Sequence, residues 1–390
     1  MSEWKEYKLG EIANIQTGPF GSQLHQSDYV DVGIPSIMPV NIGDRMNIST
    51  EKIVFITEED ATRLSRYCVQ EGDIVYSRRG DVEKCAYIGK AEIGWLCGTG
   101  CLRIRIDSSK ADSKYIAYYL STEDMKSWIS NNAVGTTMPN LNSSILQQVP
   151  LSLPSLDEQK RIASILSSLD DKIVLLNREN ATLEGMAETL FRQWFIEEAK
   201  EDWEEKPLSS IATFLNGLAC QKYPPKNEIE KLPVLKIREL TNGIGADSDW
   251  TTTDVGDEYI VHAGDVIFAW SASLMVKIWD GEDCILNQHL FKVTSDNYPK
   301  WFYFFWCKHH LNEFISIAQS HATTMGHIKR GDLDTAMVLV PSDDELQIMT
   351  VQMNSLLQKI ENNSKQINTL THTRDGLLPK LMFNEIIFNS

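Results

Sequence analysis

The chain has 390 residues, 42% hydrophobic and 23% charged, which is enough apolar material for two globular cores and argues against a disordered chain. No run approaches the roughly 18 apolar residues of a membrane span, and the charged start MSEWKEYKLG does not read as a secretory leader. The formal net charge of −17 argues against nucleic-acid binding through bulk positive charge. No segment is basic: residues 1–155 carry 15 Lys and Arg against 19 Asp and Glu, and residues 201–340 carry 12 against 20. The seven cysteines include no C-x-x-C pair, and Cys97 and Cys101 lack a partnering pair or nearby histidine for zinc. Reduced, buried thiols in a cytoplasmic protein are expected.

Residues 1–155 mix short β-like runs with one helix-like run near Tyr115 to Ile129. The β-like runs are Ile53–Ile56, Asp73–Tyr76 and Leu102–Ile106, and Gly72-Asp73 reads as a turn feeding a strand. This texture predicts an α+β domain. Residues 156–200 then read as one long helix. Pro154 precedes it, and Asp157 and Glu158 favour its N-terminal dipole. Its apolar series is Ile162, Ile165, Leu169, Ile173, Leu176, Leu183, Ala187 and Leu190, with Asn180 in line and a stutter near Leu169.

The plan then repeats. Trp4, Leu9, Ile12 and Ala13 resemble Trp203, Leu208, Ile211 and Ala212 in order, with Gly18 and Gly217 following at equal distance. Tyr67 with Gly72-Asp73-Ile74-Val75-Tyr76 resembles Tyr259 with Gly264-Asp265-Val266-Ile267-Phe268. Gly135-Thr136-Thr137-Met138 resembles Ala322-Thr323-Thr324-Met325, and Pro154 to Glu158 resembles Pro341 to Glu345. Four matches in one order predict a duplicated domain-plus-helix unit. Residues 201–340 are thus a second mixed domain and residues 341–390 a second long helix. That helix carries Met349, Met353, Leu356, Ile360, Asn363, Ile367, Leu370, Arg374 and Leu377 at spacings of three and four.

Such spacing predicts coiled-coil packing, and about 42 residues make a rod of roughly 60 Å. A pseudo-two-fold duplication within one chain predicts an antiparallel pair. If Asn180 faces Asn363, then Leu176 faces Ile367, Leu183 faces Ile360 and Ile173 faces Leu370. Each pairing joins an a-type with a d-type position, as antiparallel coils require, so Asn180 and Asn363 are candidate register residues.

Several stretches resemble the specificity subunit of type I restriction–modification systems. They are Trp4-x4-Leu9-x2-Ile12-Ala13, Gly72-Asp73-Ile74-Val75 and Gly264-Asp265-Val266-Ile267, Gly135-Thr136-Thr137, Pro154-x3-Glu158-Gln159-x2-Ile162, and Leu377-Leu378-Pro379-Lys380-Leu381. The resemblance covers nearly the whole chain. It implies two target-recognition domains, residues 1–155 and 201–340, each reading half of a split, asymmetric double-stranded DNA site. It implies helices that space the halves and dock two methyltransferase subunits, with two restriction subunits outside those. S-adenosylmethionine, ATP and Mg²⁺ would then serve the partners, and this chain would catalyse nothing. The second copy departs from the first. Ser77-Arg78-Arg79-Gly80 becomes Ala269-Trp270-Ser271-Ala272, Thr137 to Leu141 becomes Thr324 to Ile328, and Leu346 stands in place of Gln159.

For contact with DNA, Arg78 and Arg79 beside Gly80 suit phosphate clamping or bidentate reading of guanine, with Lys84 adding a phosphate contact. Thr136 and Thr137, like Thr323 and Thr324, lie in short polar loops placed between helix and strand, where hydroxyls and amides suit phosphate. Asn140 suits adenine, and His327, Lys329 and Arg330 the backbone. Ser22 and Gln23, and equivalently Gln221 and Lys222, form earlier loops. Trp270 is expected in the core, and His309-His310 in a packed helix rather than a metal site.

The chain lacks the [DN]-P-P-[YF] string of an adenine methyltransferase, Tyr223-Pro224-Pro225 being nearest. It also lacks a phosphate-binding G-x-x-x-x-G-K-[ST] loop, H-E-x-x-H and G-x-S-x-G. A scattered nuclease carboxylate cluster and a protein-only scaffold are the competing readings. A scaffold would leave the hydroxyl-rich loops without a role.

Overall fold

In a computed structural model, residues 4–43, 45–135, 138–320 and 326–383 are described. The chain forms two compact units, one of Met1–Asp171 with Thr371–Ser390 and one of Lys172–Leu370.

In chain order the first half runs β1 (Lys5–Lys8), α1 (Leu9–Ile12), β2 (Ala13–Thr17), β3 (Tyr29–Val30), β4 (Ile34–Ile37), β5 (Val54–Ile56), α2 (Glu58–Arg63), β6 (Ile74–Ser77), β7 (Cys85–Tyr87), β8 (Leu96–Cys97) and β9 (Cys101–Ile106). It continues with α3 (Ser113–Leu120), α4 (Glu123–Asn132), α5 (Ser143–Gln147), β10 (Pro150–Leu153) and α6 (Leu156–Arg192). Strands β2-β9-β6-β7 form one sheet, β3-β5-β4-β8 a second, and β1 pairs antiparallel with β10.

The second half repeats this as β11 (Glu204–Pro207), α7 (Leu208–Ile211), β12 (Thr213–Asn216), β13 (Lys231–Leu235), α8 (Ile237–Asn242), β14 (Trp250–Thr252), β15 (Ile260–Val261), β16 (Val266–Ala269), β17 (Met275–Ile278), β18 (Cys284–Leu286) and β19 (Leu290–Thr294). Then come α9 (Lys300–His309), α10 (Leu311–Ser320), α11 (Arg330–Thr335), β20 (Met337–Val340) and α12 (Asp343–Met382). The sheet β12-β19-β16-β17 and the pair β11-β20 match their counterparts, while β14-β13-β18-β15 keeps the antiparallel and parallel pairings of β5-β4-β8 but adds its fourth strand, β15, on β18, where the first domain adds β3 on β5. The duplicated, mixed architecture is thus present in both halves, apart from that edge strand.

The Gly-Asp turns have a structural cause. Asp73 is 1% exposed; its carboxylate accepts from the Gln70 amide and takes a bidentate pair from Arg105 at 2.7 and 2.6 Å. Asp265 accepts from the His262 amide and pairs with Lys292 at 2.8 Å. In each domain the aspartate closes the turn before the central strand and ties it to the neighbouring strand. Six of the seven cysteines are buried and all are unbridged, and burial pushes the Cys85 and Cys97 thiols up to about 12.

Three expectations are corrected. The Tyr115 to Ile129 run is two helices, because the Ser121 and Thr122 hydroxyls donate to the Tyr118 and Tyr119 carbonyls and end α3. On α6 the buried position is Leu166, at 0% exposure, while Ile165 is half-buried. The stutter shifts the apolar face by one residue there. Trp270 is half-buried, lying just past the end of β16 with its ring stacked on Phe291.

The long helices run antiparallel within each unit. In the first, Ile162, Ala163 and Leu166 of α6 share a core with Leu377, Leu378 and Leu381 of α12. In the second, Ala187 and Phe191 share a core with Leu346 and Met353. Asn363 Nδ2 donates to Asn180 Oδ1 at 2.9 Å, and Asn180 Nδ2 to Ser364 Oγ at 3.3 Å. The two amides are 2% and 9% exposed. Arg374, which stands in the apolar series, pairs with Asp170 at 2.9 Å, and Asp170 also accepts from the Tyr118 hydroxyl at 2.6 Å. No described helix is long and apolar enough to cross a membrane.

Candidate nucleic-acid interface

At one end of the first domain, the loops leaving β2, β6 and α4 meet the turn between β8 and β9. Gly18 donates to the Cys101 carbonyl at 3.0 Å, and Thr99 Oγ1 to the Pro19 carbonyl at 3.0 Å. Arg78 donates to the Gly100 carbonyl at 2.8 Å. Leu141 donates to Arg78 at 2.8 Å and Gly80 to Pro139 at 3.3 Å, which joins the 134–140 loop to the end of β6. Val134 and Asn140 exchange both backbone bonds, at 3.0 and 2.9 Å, pinching that loop closed.

The second domain carries the same frame. Gly217 donates to Leu290 at 3.1 Å, Trp270 to His289 at 3.4 Å, Ile328 to Trp270 at 3.1 Å and Ala272 to Gly326 at 2.9 Å. The matched glycines Gly18 and Gly217 are explained by close passage. A Cβ on Gly18 would lie 2.2 Å from the Gly98 carbonyl oxygen, and one on Gly217 lies 2.3 Å from that of Asn287. A left-handed residue recurs too, Gly80 at φ 75° and Ala272 at φ 58°.

On this frame the side chains differ. In the first domain Arg79 is exposed and its guanidinium has no partner among the described residues, and Arg78 is half-buried with its Nε buried and unpartnered among them. Asn140 is half-exposed and its side-chain carboxamide takes no partner among the described residues. Ser22 is exposed. Gln23 Oε1 accepts from the Tyr67 hydroxyl at 2.8 Å. Lys84 is ion-paired with Asp81 at 3.3 Å, so its charge is partly compensated. Thr136 and Thr137 lie outside the described residues, as do Thr323 and Thr324. Their loops are nonetheless bounded by helices on both sides, α4 and α5 or α10 and α11, rather than by helix and strand.

In the second domain Gln221 and Lys222 are exposed on a short helical turn, and His327, Lys329 and Arg330 are exposed around the start of α11. His327 forms a backbone bridge with Ser271, as Asn140 does with Arg79. Trp270 Nε1 donates to Asn216 Oδ1 at 3.1 Å. His310 is 9% exposed, and its ring contacts the Met337 carbonyl and Glu313, as a packed residue does.

Sequence reasoning missed Gln288 and His289, in the turn joining β18 to β19. The signal was available: aligning β9 with β19 sets Gly98-Thr99-Gly100 against Asn287-Gln288-His289. It also missed Phe20, 59% exposed in the loop beside Thr99.

A family model described as the type I restriction modification DNA specificity domain matches residues 1–185 and again residues 200–372. The MjaIX type I restriction enzyme specificity subunit of Methanocaldococcus jannaschii is 26% identical, over 98% of this chain and 94% of that protein. The HindI type I restriction enzyme specificity subunit of Haemophilus influenzae is 20% identical, over 99% of this chain and 100% of that protein. The crystal structure of a type I restriction–modification S subunit from M. genitalium shares the fold, with a TM-score of 0.60 at 16% identity, covering 98% of this chain and 96% of that one. With two matched domains built on one frame, the chain belongs to the type I restriction–modification DNA specificity family as a specificity subunit.

Proposed function

We propose that the chain reads a split, asymmetric double-stranded DNA site, one half with each domain, and itself catalyses no reaction. The observation that carries this is the pair of equivalent loop frames bearing different side chains: Arg78 and Arg79 in one, Trp270 and Ser271 in the other. A common backbone that presents different donors and acceptors is what two unlike half-sites require.

Helices α6 and α12 dock two methyltransferase subunits, with two restriction subunits bound outside them, and set the distance between half-sites. Lengthening α6 by four residues adds about 6 Å. It changes the number of unread base pairs in the site; an unchanged spacer would contradict this role. S-adenosylmethionine, ATP and Mg²⁺ are ligands of those partners.

The net charge of −17 makes this chain a weak DNA binder by itself, because phosphate neutralisation supplies much of such affinity. Titration of labelled DNA at physiological salt tests the reading. With methyltransferase subunits added, binding tightens at least tenfold and becomes specific to one split sequence. Specific binding by the chain alone, unchanged by partners, would contradict the dependence. Absence of specific binding in both cases would contradict the function.

A further inference from the structure

Between the two frames, the position of the polar reading group has moved. In the first domain the β8–β9 turn is Gly98-Thr99-Gly100, nearly bare, and the guanidiniums sit at the end of β6. In the second domain the end of β16 carries Trp270, stacked on Phe291, and the turn carries Asn287-Gln288-His289. The two places are adjacent, since the backbone of 78 bonds to 100 and that of 270 to 289.

The turn is held rigidly. The Asn287 amide donates to Leu235 at 3.2 Å, that of Gln288 to Leu218 at 2.8 Å, and that of Leu290 back to Asn287 at 2.9 Å. The His289 amide donates to Asn287 Oδ1 at 3.3 Å. Its imidazole lies between two groups, Nδ1 3.1 Å from Ser271 Oγ and Nε2 3.4 Å from Gln288 Nε2. One tautomer serves both: Nδ1–H donates to the serine, leaving Nε2 as acceptor for the amide. In that arrangement the amide nitrogen of Gln288 faces the imidazole. Its Oε1 has no partner among the described residues, and one Nε2 proton stays available.

An amide presenting one donor and one acceptor side by side matches adenine N7 and N6 in the major groove. We propose that Gln288 is the side chain through which the second domain reads an adenine, and that His289 positions it. This rests on the DNA-reading function proposed above.

The test co-expresses the full chain with its methyltransferase subunits in cells free of other adenine methylation, and reads the methylated motif by sequencing. The wild type gives a split motif with a required adenine in one half, and Gln288→Ala makes that one position degenerate. Its discrimination falls roughly tenfold or more, the size of one bidentate base contact, while the other half stays unchanged. His289→Ala loosens the same position by less, with the rest of the motif intact. An unchanged motif for Gln288→Ala would overturn the assignment, as would degeneracy in the half that a replacement of residues 1–155 alters. If Gln288→Ala abolishes all methylation, the near-isosteric Gln288→Glu decides: lost adenine preference supports the assignment, and retained preference overturns it. A wild type that yields no motif at all would remove the underlying function and the assignment with it.

Discussion

The first and second domains share a backbone frame and differ in how it is held together. The same turn before the central strand is closed by a fully buried carboxylate with a bidentate arginine in one, and by a partly exposed carboxylate with a lysine in the other. Asp73 is 1% exposed, whereas the Asp265 side chain is 25% exposed. The frame is therefore a geometric requirement that different chemistry can meet. The chemistry chosen sets how much each domain loses when it is removed.

The largest effect expected on this comparison comes from removing the cations. Arg105→Ala leaves a buried carboxylate without its main partner and lowers stability by about 3 kcal/mol. Lys292→Ala leaves a carboxylate that water already reaches and lowers it by about 1 kcal/mol. Chemical denaturation of both variants checks the order, and equal losses would break the comparison.

The helix seam comes next. Asn180→Ala or Asn363→Ala leaves a buried amide short of a partner, for a loss of about 1–3 kcal/mol. Replacing both by leucine is nearly neutral or stabilising and weakens the pairing register. A double-mutant cycle in thermal unfolding checks this, with a favourable coupling expected between the two amides.

The shared left-handed position gives opposite signs in the two domains. Gly80→Ala destabilises by about 1 kcal/mol, and Ala272→Gly relieves a similar strain. Both substitutions acting in the same direction would contradict the equivalence of the two loops.

The smallest effect is a pH dependence in the second unit. Glu345 accepts hydrogen bonds from Lys200, from Ser342 at 3.1 and 2.7 Å, and from Trp203 Nε1 at 3.1 Å. The Lys200 contact first, and then Ser342, holds its carboxyl down at about 2. A carboxyl depressed on folding stabilises above its ordinary value of 4.5, and that contribution is lost as pH falls from there towards 2. Glu345→Gln flattens the acid limb of the stability curve only slightly, because the group is near the surface. A wild-type curve with no such difference would contradict the assignment.

Much of the architecture was legible because a duplication prints itself twice. The long helices showed through sustained spacing, and the position of Asn180 and Asn363 in their apolar series led to a definite alignment of the two. Local chemistry was harder to read. The α3–α4 break rests on two hydroxyls turning back on carbonyls, which sequence spacing does not reveal, and the choice of Leu166 over Ile165 follows from a stutter that rotates the face. In the loops, exposure could be guessed but engagement could not. Gln23 looks like a polar loop residue until Tyr67, 44 positions away, captures its amide. Gln288 and His289 carried no signal of their own in the sequence, and only the pairing of β16 with β19 sets them beside Trp270 and Ser271.

The most direct test of two independent readers replaces residues 1–155 with the equivalent segment of another family member and sequences the adenine methylome of cells carrying the matching methyltransferase. The account predicts a split motif in which one half changes and the other half and the spacer persist. A change in both halves, or in neither, would contradict it.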